Sequence, residues 1–321
     1  MNGKKIILIA IFIAIVTIMI ALIAKTGIDT KKSEGKKQVV VSNFASYDFL
    51  RAIIGDDDNV ELTFMLGPGK DAHSYSPTPQ DLVKIQNSDM FVYIGGDSEN
   101  WSTDTVEDID KNKTKVICIA DFVDKMKEEE IDGAEEEEEE EEESAFDDHI
   151  WTSPSNAIKM VETLEKAMEE IRPENKEKYK KNSEEYIEKI KEVDSKIQEI
   201  VDNRVRDTLV FGDKMPMQYF INYYGLKVSA AFSGCSTETE PSAKTRAYLE
   251  NKVREEKIPV VLYIELNNNP VAAGIAEAVG NGCKAMQIQT LHNVSLDDFK
   301  NGETWVSLMT RNLDVLRQAL Q

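Results

Sequence analysis

Residues 173–205 read PENKEKYKKNSEEYIEKIKEVDSKIQEIVDNRV, and this stretch decides how the chain is divided. Its apolar residues recur every three or four positions, which predicts one amphipathic helix that begins near Pro173. They are Tyr179, Tyr186, Ile190, Val193, Ile197, Ile200 and Val201. About 30 helical residues would extend roughly 45 Å, too far for one small lobe, so we expect the helix to run across two. A coiled-coil dimer arm is the alternative, and the short apolar seam argues against it.

Short β-branched runs alternate with helical patterns on both sides of this helix. Four strands are predicted before it and four after it, at 38–42, 60–66, 89–94, 114–120, 207–211, 226–232, 260–264 and 284–288. Such alternation is typical of βαβ units with parallel strands. The predicted fold is therefore α/β, with two lobes that each contain a mostly parallel four-stranded sheet flanked by helices and are joined by one long rigid helix.

These elements divide the chain into five predicted segments. Residues 1–27 form a membrane anchor or signal, 28–38 a tether, 39–172 the N-terminal lobe, 173–206 the linking helix and 207–321 the C-terminal lobe.

The first segment has the pattern of a membrane anchor. Lys4 and Lys5 precede nineteen residues, 6–24, that are apolar except for Thr17. As a helix they would reach close to 30 Å, about the thickness of the hydrocarbon core of a bilayer. The positive flank stays inside, which would place the remaining chain on the extracytoplasmic face of the membrane. We expect an uncleaved anchor; a cleaved signal, with secretion of the rest, is the alternative.

The acidity of the chain is concentrated in one segment. The 321 residues carry a formal net charge of −21, and residues 128–148 contain fifteen acids and no base. Because like charges repel one another and bury nothing, we predict a disordered acidic loop at 128–146. It is either a solvated insertion or a weak collector of cations for a nearby site. The acid excess argues against binding to nucleic acid or to an anionic membrane surface.

The three histidines lie at the edge of the predicted sheets where ligands bind, beyond the carboxyl ends of parallel strands. His73 follows the second predicted strand, His149 follows the fourth after the acidic loop, and His292 follows the last. Imidazole is the commonest protein ligand for zinc and similar cations, so we predict a metal site there. Asp213 and Glu265 follow strands of the second lobe and are candidates for one carboxylate ligand. Either could instead cap a helix or form an ion pair.

The cysteines do not form a zinc or disulfide motif. Cys118, Cys235 and Cys283 are far apart in the sequence, which excludes a CxxC module. We expect small buried residues; a bridge between Cys235 and Cys283, or metal ligation by Cys235, stays open.

Two histidine motifs resemble the signatures of one protein family. Residues 67–81 read GPGKDAHSYSPTPQD and resemble PG-x-D-x-H-x-Y-x-P-T-P-x-D; residues 147–154 read DDHIWTSP and resemble D-x-H-x-W-x-x-P. These signatures are those of the solute-binding proteins of zinc and manganese ABC importers. The likeness spans about 39–320, with further matches at Asn43, 47–49, 99–101, 219–226, 240–243 and 305–316.

The resemblance implies two α/β lobes joined by a long rigid helix, with the ion held between the lobes. His73 and His149 match the first-lobe ligands of the family. The third family ligand, a His or Glu, falls near Asp213, and His292 lies where the family commonly has Asp. Family members are usually anchored by a lipid or have their signal peptide cleaved. No cysteine that could carry a lipid directly follows residues 6–24, so we expect the helix itself to anchor the chain.

The residues and the resemblance together predict capture of a divalent transition metal outside the cell. Three imidazoles and one carboxylate suit tetrahedral Zn²⁺, whereas Mn²⁺ prefers more oxygen, so Zn²⁺ is favoured over Mn²⁺ as the transported ion. The resemblance implies delivery to an ABC permease and its ATPase by a monomer that is not an enzyme. The alternatives are a Mn²⁺-specific protein of the same system, a zinc metallohydrolase, for which no HExxH motif exists here, and a surface adhesin.

Overall fold

Each lobe is built on a four-stranded parallel sheet. The strand order is β2-β1-β3-β4 in the first lobe and β6-β5-β7-β8 in the second. The strands are β1 (Lys37–Val41), β2 (Val60–Phe64), β3 (Met90–Tyr93), β4 (Lys115–Cys118), β5 (Thr208–Met215), β6 (Lys227–Ser233), β7 (Val260–Ile264) and β8 (Lys284–Ile288). Every pairing between them is parallel, so the predicted α/β fold is confirmed.

The computed structural model describes residues 35–70, 73–135, 146–234, 240–267 and 270–321. The predicted membrane anchor lies outside these residues. Within them, no helix has the length and apolar character needed to cross a membrane.

Helices cover the faces of both sheets. They are α1 (Phe44–Ile54), α2 (Pro79–Gln86), α3 (Ser102–Glu107), α4 (Pro154–Ile171), α5 (Lys176–Asp202), α6 (Gln218–Tyr224), α7 (Ala243–Glu255), α8 (Pro270–Val279), α9 (Leu296–Lys300) and α10 (Trp305–Leu320). Strand residues such as Val39, Val41, Met90 and Val92 are fully buried. Continuous apolar strands of this kind are typical of parallel sheets covered on both sides.

The long helix α5 crosses both lobes. Its 27 residues extend about 40 Å. It packs against α1 and α4 of the first lobe and against α10 of the second. All seven apolar residues that predict its inner face are buried. Its start differs from the prediction, because Pro173 opens a separate 3-10 turn and the α-helix begins at Lys176.

A buried carboxylate, that of Asp48 on α1, joins helices of both lobes. It accepts hydrogen bonds from the Tyr186 hydroxyl on α5 and from the Trp305 backbone N–H at the start of α10 (2.7 Å). Arg51 forms an ion pair with Asp48 at 2.5 Å and donates to the carbonyl oxygen of Glu303 at 2.7 Å. Burial raises the pKa of Asp48, although Arg51 and the hydrogen bonds act against this rise. These contacts fix α10 against the first lobe.

Strand β5 is longer than the sequence predicts. A strand ending at Phe211 is predicted, but β5 continues to Met215 with a shift of register just after Phe211. Gly212 lies at this irregularity, where a Cβ would come within 2.6 Å of the Cα of Ala272. Asp213 therefore lies inside the strand and not in the loop after it.

The first part of the acidic segment lies against the second lobe. The side chain of Gln218 accepts a hydrogen bond from the Glu129 backbone N–H at 3.0 Å. Tyr248 on α7 donates its hydroxyl to Asp132. Disorder is predicted for the whole acidic loop, whereas these contacts hold its first residues; residues 136–145 lie outside the described part of the chain.

Asp57 fixes the first lobe on the start of α5. Its buried carboxylate accepts hydrogen bonds from Arg172 (3.2 Å), Asn175 (2.5 Å) and the Tyr179 hydroxyl (2.5 Å). Burial alone would raise the pKa of Asp57, but the hydrogen bonds, that of Tyr179 foremost, and the charge of Arg172 lower it to about 2.

We expect Asp57→Asn to lower the free energy of unfolding by about 1–3 kcal/mol at pH 7, because buried donors lose a charged acceptor. The native pKa lies below that of the unfolded chain, so ionised Asp57 contributes stability above about pH 4 and this contribution is lost as the pH falls toward 2. Urea unfolding between pH 7 and pH 3 should show the difference from wild type shrinking. An equal difference at every pH would contradict this account, and Asp58→Asn, at the exposed neighbouring carboxylate, serves as the control.

Candidate metal centre

Three histidines from the two lobes meet beyond the carboxyl ends of the strands. His73 lies in the loop after β2, His149 lies before α4, and His292 follows β8. The ring centroids of His73 and His292 are 5.0 Å apart, and those of His149 lie 5.5 Å from His292 and 5.9 Å from His73. One ring nitrogen of each lies within 4.8 Å of the other two. The structure thus brings together all three histidines that the sequence predicts as ligands.

The separation of these nitrogens suits one small cation. Tetrahedral Zn²⁺ with bonds of about 2.1 Å needs nitrogens roughly 3.4 Å apart. The observed separations reach at most 4.8 Å, so small movements of the side chains would complete the geometry. His149 is only 3% exposed, and the Nε2 atoms of His73 and His292 are buried. An ion held here would be shielded from bulk water.

Asp147 fixes the orientation of the His149 ring. Its Oδ1 lies 2.6 Å from Nδ1 of His149 and accepts the His149 backbone N–H at 2.9 Å. A carboxylate at Nδ1 leaves Nε2 for a metal and strengthens the imidazole as a ligand. Asp148 lies 3.3 Å from the same Nδ1 and accepts the Ser98 backbone N–H at 3.1 Å. Burial would raise the pKa of Asp148, but the charge of His149 and the bonds from Ser98 lower it.

Glu265 holds the loop that carries His292. Its buried carboxylate accepts hydrogen bonds from the N–H and hydroxyl of Thr290, both at 2.8 Å, and from the His292 N–H at 3.0 Å. Between these residues Leu291 has a φ of 59°, a left-handed conformation that bulky residues rarely adopt. Burial raises the pKa of Glu265 despite these bonds. The carboxylate is thus committed to the backbone of the loop, where it positions His292.

Asp213, predicted as the carboxylate ligand, does not join the histidines. In the described part of the chain, the groups of potential ligand atoms close enough for one ion contain neither Asp213 nor Glu265. Asp213 instead accepts hydrogen bonds from the Ile264 N–H (3.4 Å) and from the side chain of Asn267. The reason is the extension of β5, which directs Asp213 to the neighbouring strand β7.

The residues that support the three histidines are not predicted in these roles. Asp147 is predicted only as part of the acidic segment and of the motif DDHIWTSP, without a role of its own, although a carboxylate two residues before His149 is a local signal for an orienting group. Trp151 donates its indole N–H to the carbonyl oxygen of Thr290 at 3.0 Å, and Trp305 donates its own to Trp151 at 3.0 Å. These indole contacts join residues far apart in the chain, and no local pattern indicates them.

Two cysteines lie in the described residues, away from the histidine group. Cys118 and Cys283 are half-buried thiols, and Cys118 Sγ donates to the carbonyl oxygen of Ile94 at 3.3 Å. Burial raises the pKa of both thiols. Cys235 lies outside the described residues, so the alternatives for it stay predictions.

Known proteins resemble this chain over most of its length. The family model of ZnuA, zinc-uptake complex component A, periplasmic, matches residues 39–319. The zinc-binding lipoprotein AdcA of Streptococcus pneumoniae is 31% identical over 289 residues, which are 90% of this chain and 56% of AdcA. The high-affinity zinc uptake system protein ZnuA of Bacillus subtilis is 29% identical over 93% of this chain and 94% of that protein. The chain thus spans about half the length of AdcA and nearly all of ZnuA.

A solved structure shares the fold. The Zn(II)-bound ZnuA-like domain of Streptococcus pneumoniae AdcA is similar with a TM-score of 0.73 and 28% identity, over 89% of this chain and 99% of that domain.

We expect Asp147→Asn to weaken Zn²⁺ binding about 10–100-fold, because the neutral amide no longer strengthens and orients the His149 imidazole. Competition with a chelator of known affinity measures the change. Asp121→Asn removes an exposed carboxylate outside the histidine group and should bind as wild type does. An Asp147→Asn protein within twofold of wild type would refute the orienting role.

Proposed function

The chain belongs to the family of zinc-uptake complex component A, and we propose that it captures a divalent transition metal between its two lobes for an ABC importer. The meeting of His73, His149 and His292 from different lobes carries this proposal. These histidines are far apart in the sequence, but one ring nitrogen of each lies within 4.8 Å of the other two. Such a group could hold one metal ion.

Zn²⁺ is the ion that the donor atoms favour. Three imidazole nitrogens leave one position of a tetrahedron for a water or a further ligand, a coordination that zinc accepts readily. Mn²⁺ is the alternative, but it prefers carboxylate and carbonyl oxygens. The three carboxylates that contact the ligand residues, Asp147, Asp148 and Glu265, are engaged as hydrogen-bond acceptors. The relatives AdcA and ZnuA are named for zinc.

Capture explains the arrangement better than hydrolysis does. A zinc hydrolase needs an open coordination position beside a general base that can activate the bound water. Asp147 is turned toward Nδ1 of His149, and Glu265 is turned toward the backbone of the Thr290 loop. Asp148 accepts the Ser98 backbone N–H. All three carboxylates near the histidines are therefore engaged and none is placed as a base, whereas a buried site between lobes suits an ion that is held and later transferred.

Delivery to a membrane permease and its ATPase completes the proposed function. We propose that the protein acts as a monomer on the extracytoplasmic face of the membrane, anchored by residues 6–24 or secreted after their cleavage. Co-purification with the permease would support this role over that of a surface adhesin, which would instead bind extracellular matrix.

We expect His149→Ala to weaken Zn²⁺ binding by more than the roughly 10–100-fold cost of losing an orienting group, because a ligand itself is lost. Deletion of residues 136–143 should leave the equilibrium affinity nearly unchanged, since this run of glutamates contains no histidine and the field of its charges is weakened by salt. Chelator competition on both variants measures the two affinities. Wild-type affinity in His149→Ala would refute the site, and unfolding in the presence of EDTA shows whether each variant is folded.

A further inference from the structure

The side chain of Asn293 crosses from the second lobe to the first. Asn293 follows His292 directly and is 1% exposed. Its Nδ2 donates to the carbonyl oxygen of Gly67 at 3.1 Å and to that of Lys70. Its Oδ1 accepts the N–H of Val294 at 2.7 Å. Both donors and the acceptor of this amide are therefore used, as a buried amide requires.

The residues that Asn293 contacts form the turn before His73. Gly67 and Gly69 adopt positive φ angles of 73° and 76°, which glycine adopts without strain, and the turn ends at Lys70, three positions before His73. A further bond across the lobes runs from the Gly69 N–H to the carbonyl oxygen of Val294 at 2.8 Å. The loops of two histidines in different lobes are thus bonded directly to each other. This agrees with the ring separation of His73 and His292, which is the shortest of the three.

We propose that Asn293 is a positioning residue for metal capture, which holds His73 and His292 at the separation that one ion requires. This inference rests on the proposed function. A site with preformed ligands binds more tightly because less conformational freedom is lost when the ion arrives. The link also has to break before the two loops separate, so we infer that it slows release of the ion.

The contribution of Asn293 differs from that of the other residues that hold this loop. Glu265 fastens Thr290 and His292 within the second lobe. Trp151 joins Thr290 to the loop of His149. Of these three residues, only Asn293 donates hydrogen bonds to the loop that carries His73. Its amide suits this task because a single nitrogen carries two N–H donors for two carbonyl oxygens.

The test compares Asn293→Ala with Asn312→Ala. Asn312 is equally buried and makes two hydrogen bonds to the backbone of Gln289, at 2.7 and 2.8 Å, but both remain within the second lobe. We expect Asn293→Ala to lower the affinity for Zn²⁺ about 10–30-fold, mostly through faster release into a chelator. Asn312→Ala should lose stability in EDTA but change the affinity less than about threefold. Asn293→Ser keeps one side-chain donor, so its affinity for Zn²⁺ should lie between those of wild type and Asn293→Ala. The serine variant replaces the alanine variant if the latter does not fold.

A double-mutant cycle separates positioning from a general structural effect. If Asn293 acts through His73, Asn293→Ala should weaken residual Zn²⁺ binding little in a His73→Ala background. It should retain its full effect in a His149→Ala background. Equal effects in both backgrounds, or wild-type affinity and release in Asn293→Ala, would overturn the proposal. A wild-type protein that does not bind Zn²⁺ tightly would instead overturn the proposed function, and the role of Asn293 with it.

Discussion

The buried carboxylate of Asp48 is the contact on which the placement of the two lobes depends. It receives hydrogen bonds from the long helix through Tyr186 and from the last helix through Trp305, and it pairs with Arg51. Removing one partner from such a buried charged group costs several kcal/mol, roughly 3–5. The last helix packs against β8, the strand that leads to His292. The position of His292 relative to the first lobe therefore follows from this contact.

A series of hydrogen bonds continues from Asp48 to the histidines. Trp305 donates its backbone N–H to Asp48 and its indole N–H to Trp151, and Trp151 donates to Thr290, whose loop carries His292. The three imidazoles thus lie close together through contacts between protein groups. In this account the ion meets ligands that the fold has already gathered, and the affinity reflects how little the site has to change.

The fold and the meeting of the three histidines follow from local sequence patterns, whereas the position of Asp213 does not. The three-to-four spacing in α5 predicts its buried face because burial repeats with the helical period. A strand end is predicted at Phe211, but β5 continues past it, and the irregularity after Phe211 turns the Asp213 side chain toward Ile264. Ligation by Asp213 stays a prediction. Strand ends of this kind depend on tertiary packing, here on the close approach of Ala272 to Gly212.

The contacts that hold the histidine loops in place could not be predicted either, because they join residues that are far apart in the sequence. Asn293 and Gly67 are 226 positions apart, and nothing in either local pattern indicates that they touch. The acidic segment has a local pattern, and its composition predicts disorder. The contact of Gln218 with Glu129 shows that hydrogen bonds to the second lobe hold its beginning. The composition of a segment indicates how much apolar surface the segment itself can bury. It does not indicate which hydrogen-bond partners other parts of the fold present to it.

X-ray absorption at the zinc edge of the zinc-loaded protein identifies the atoms that hold the ion. If His73, His149 and His292 are the ligands, we expect a first shell dominated by three imidazole nitrogens at about 2.0–2.1 Å from the ion, with any further ligand a light oxygen atom. A shell with sulfur at about 2.3 Å, or one with fewer than two imidazoles, would contradict the assignment of His73, His149 and His292 as the metal centre.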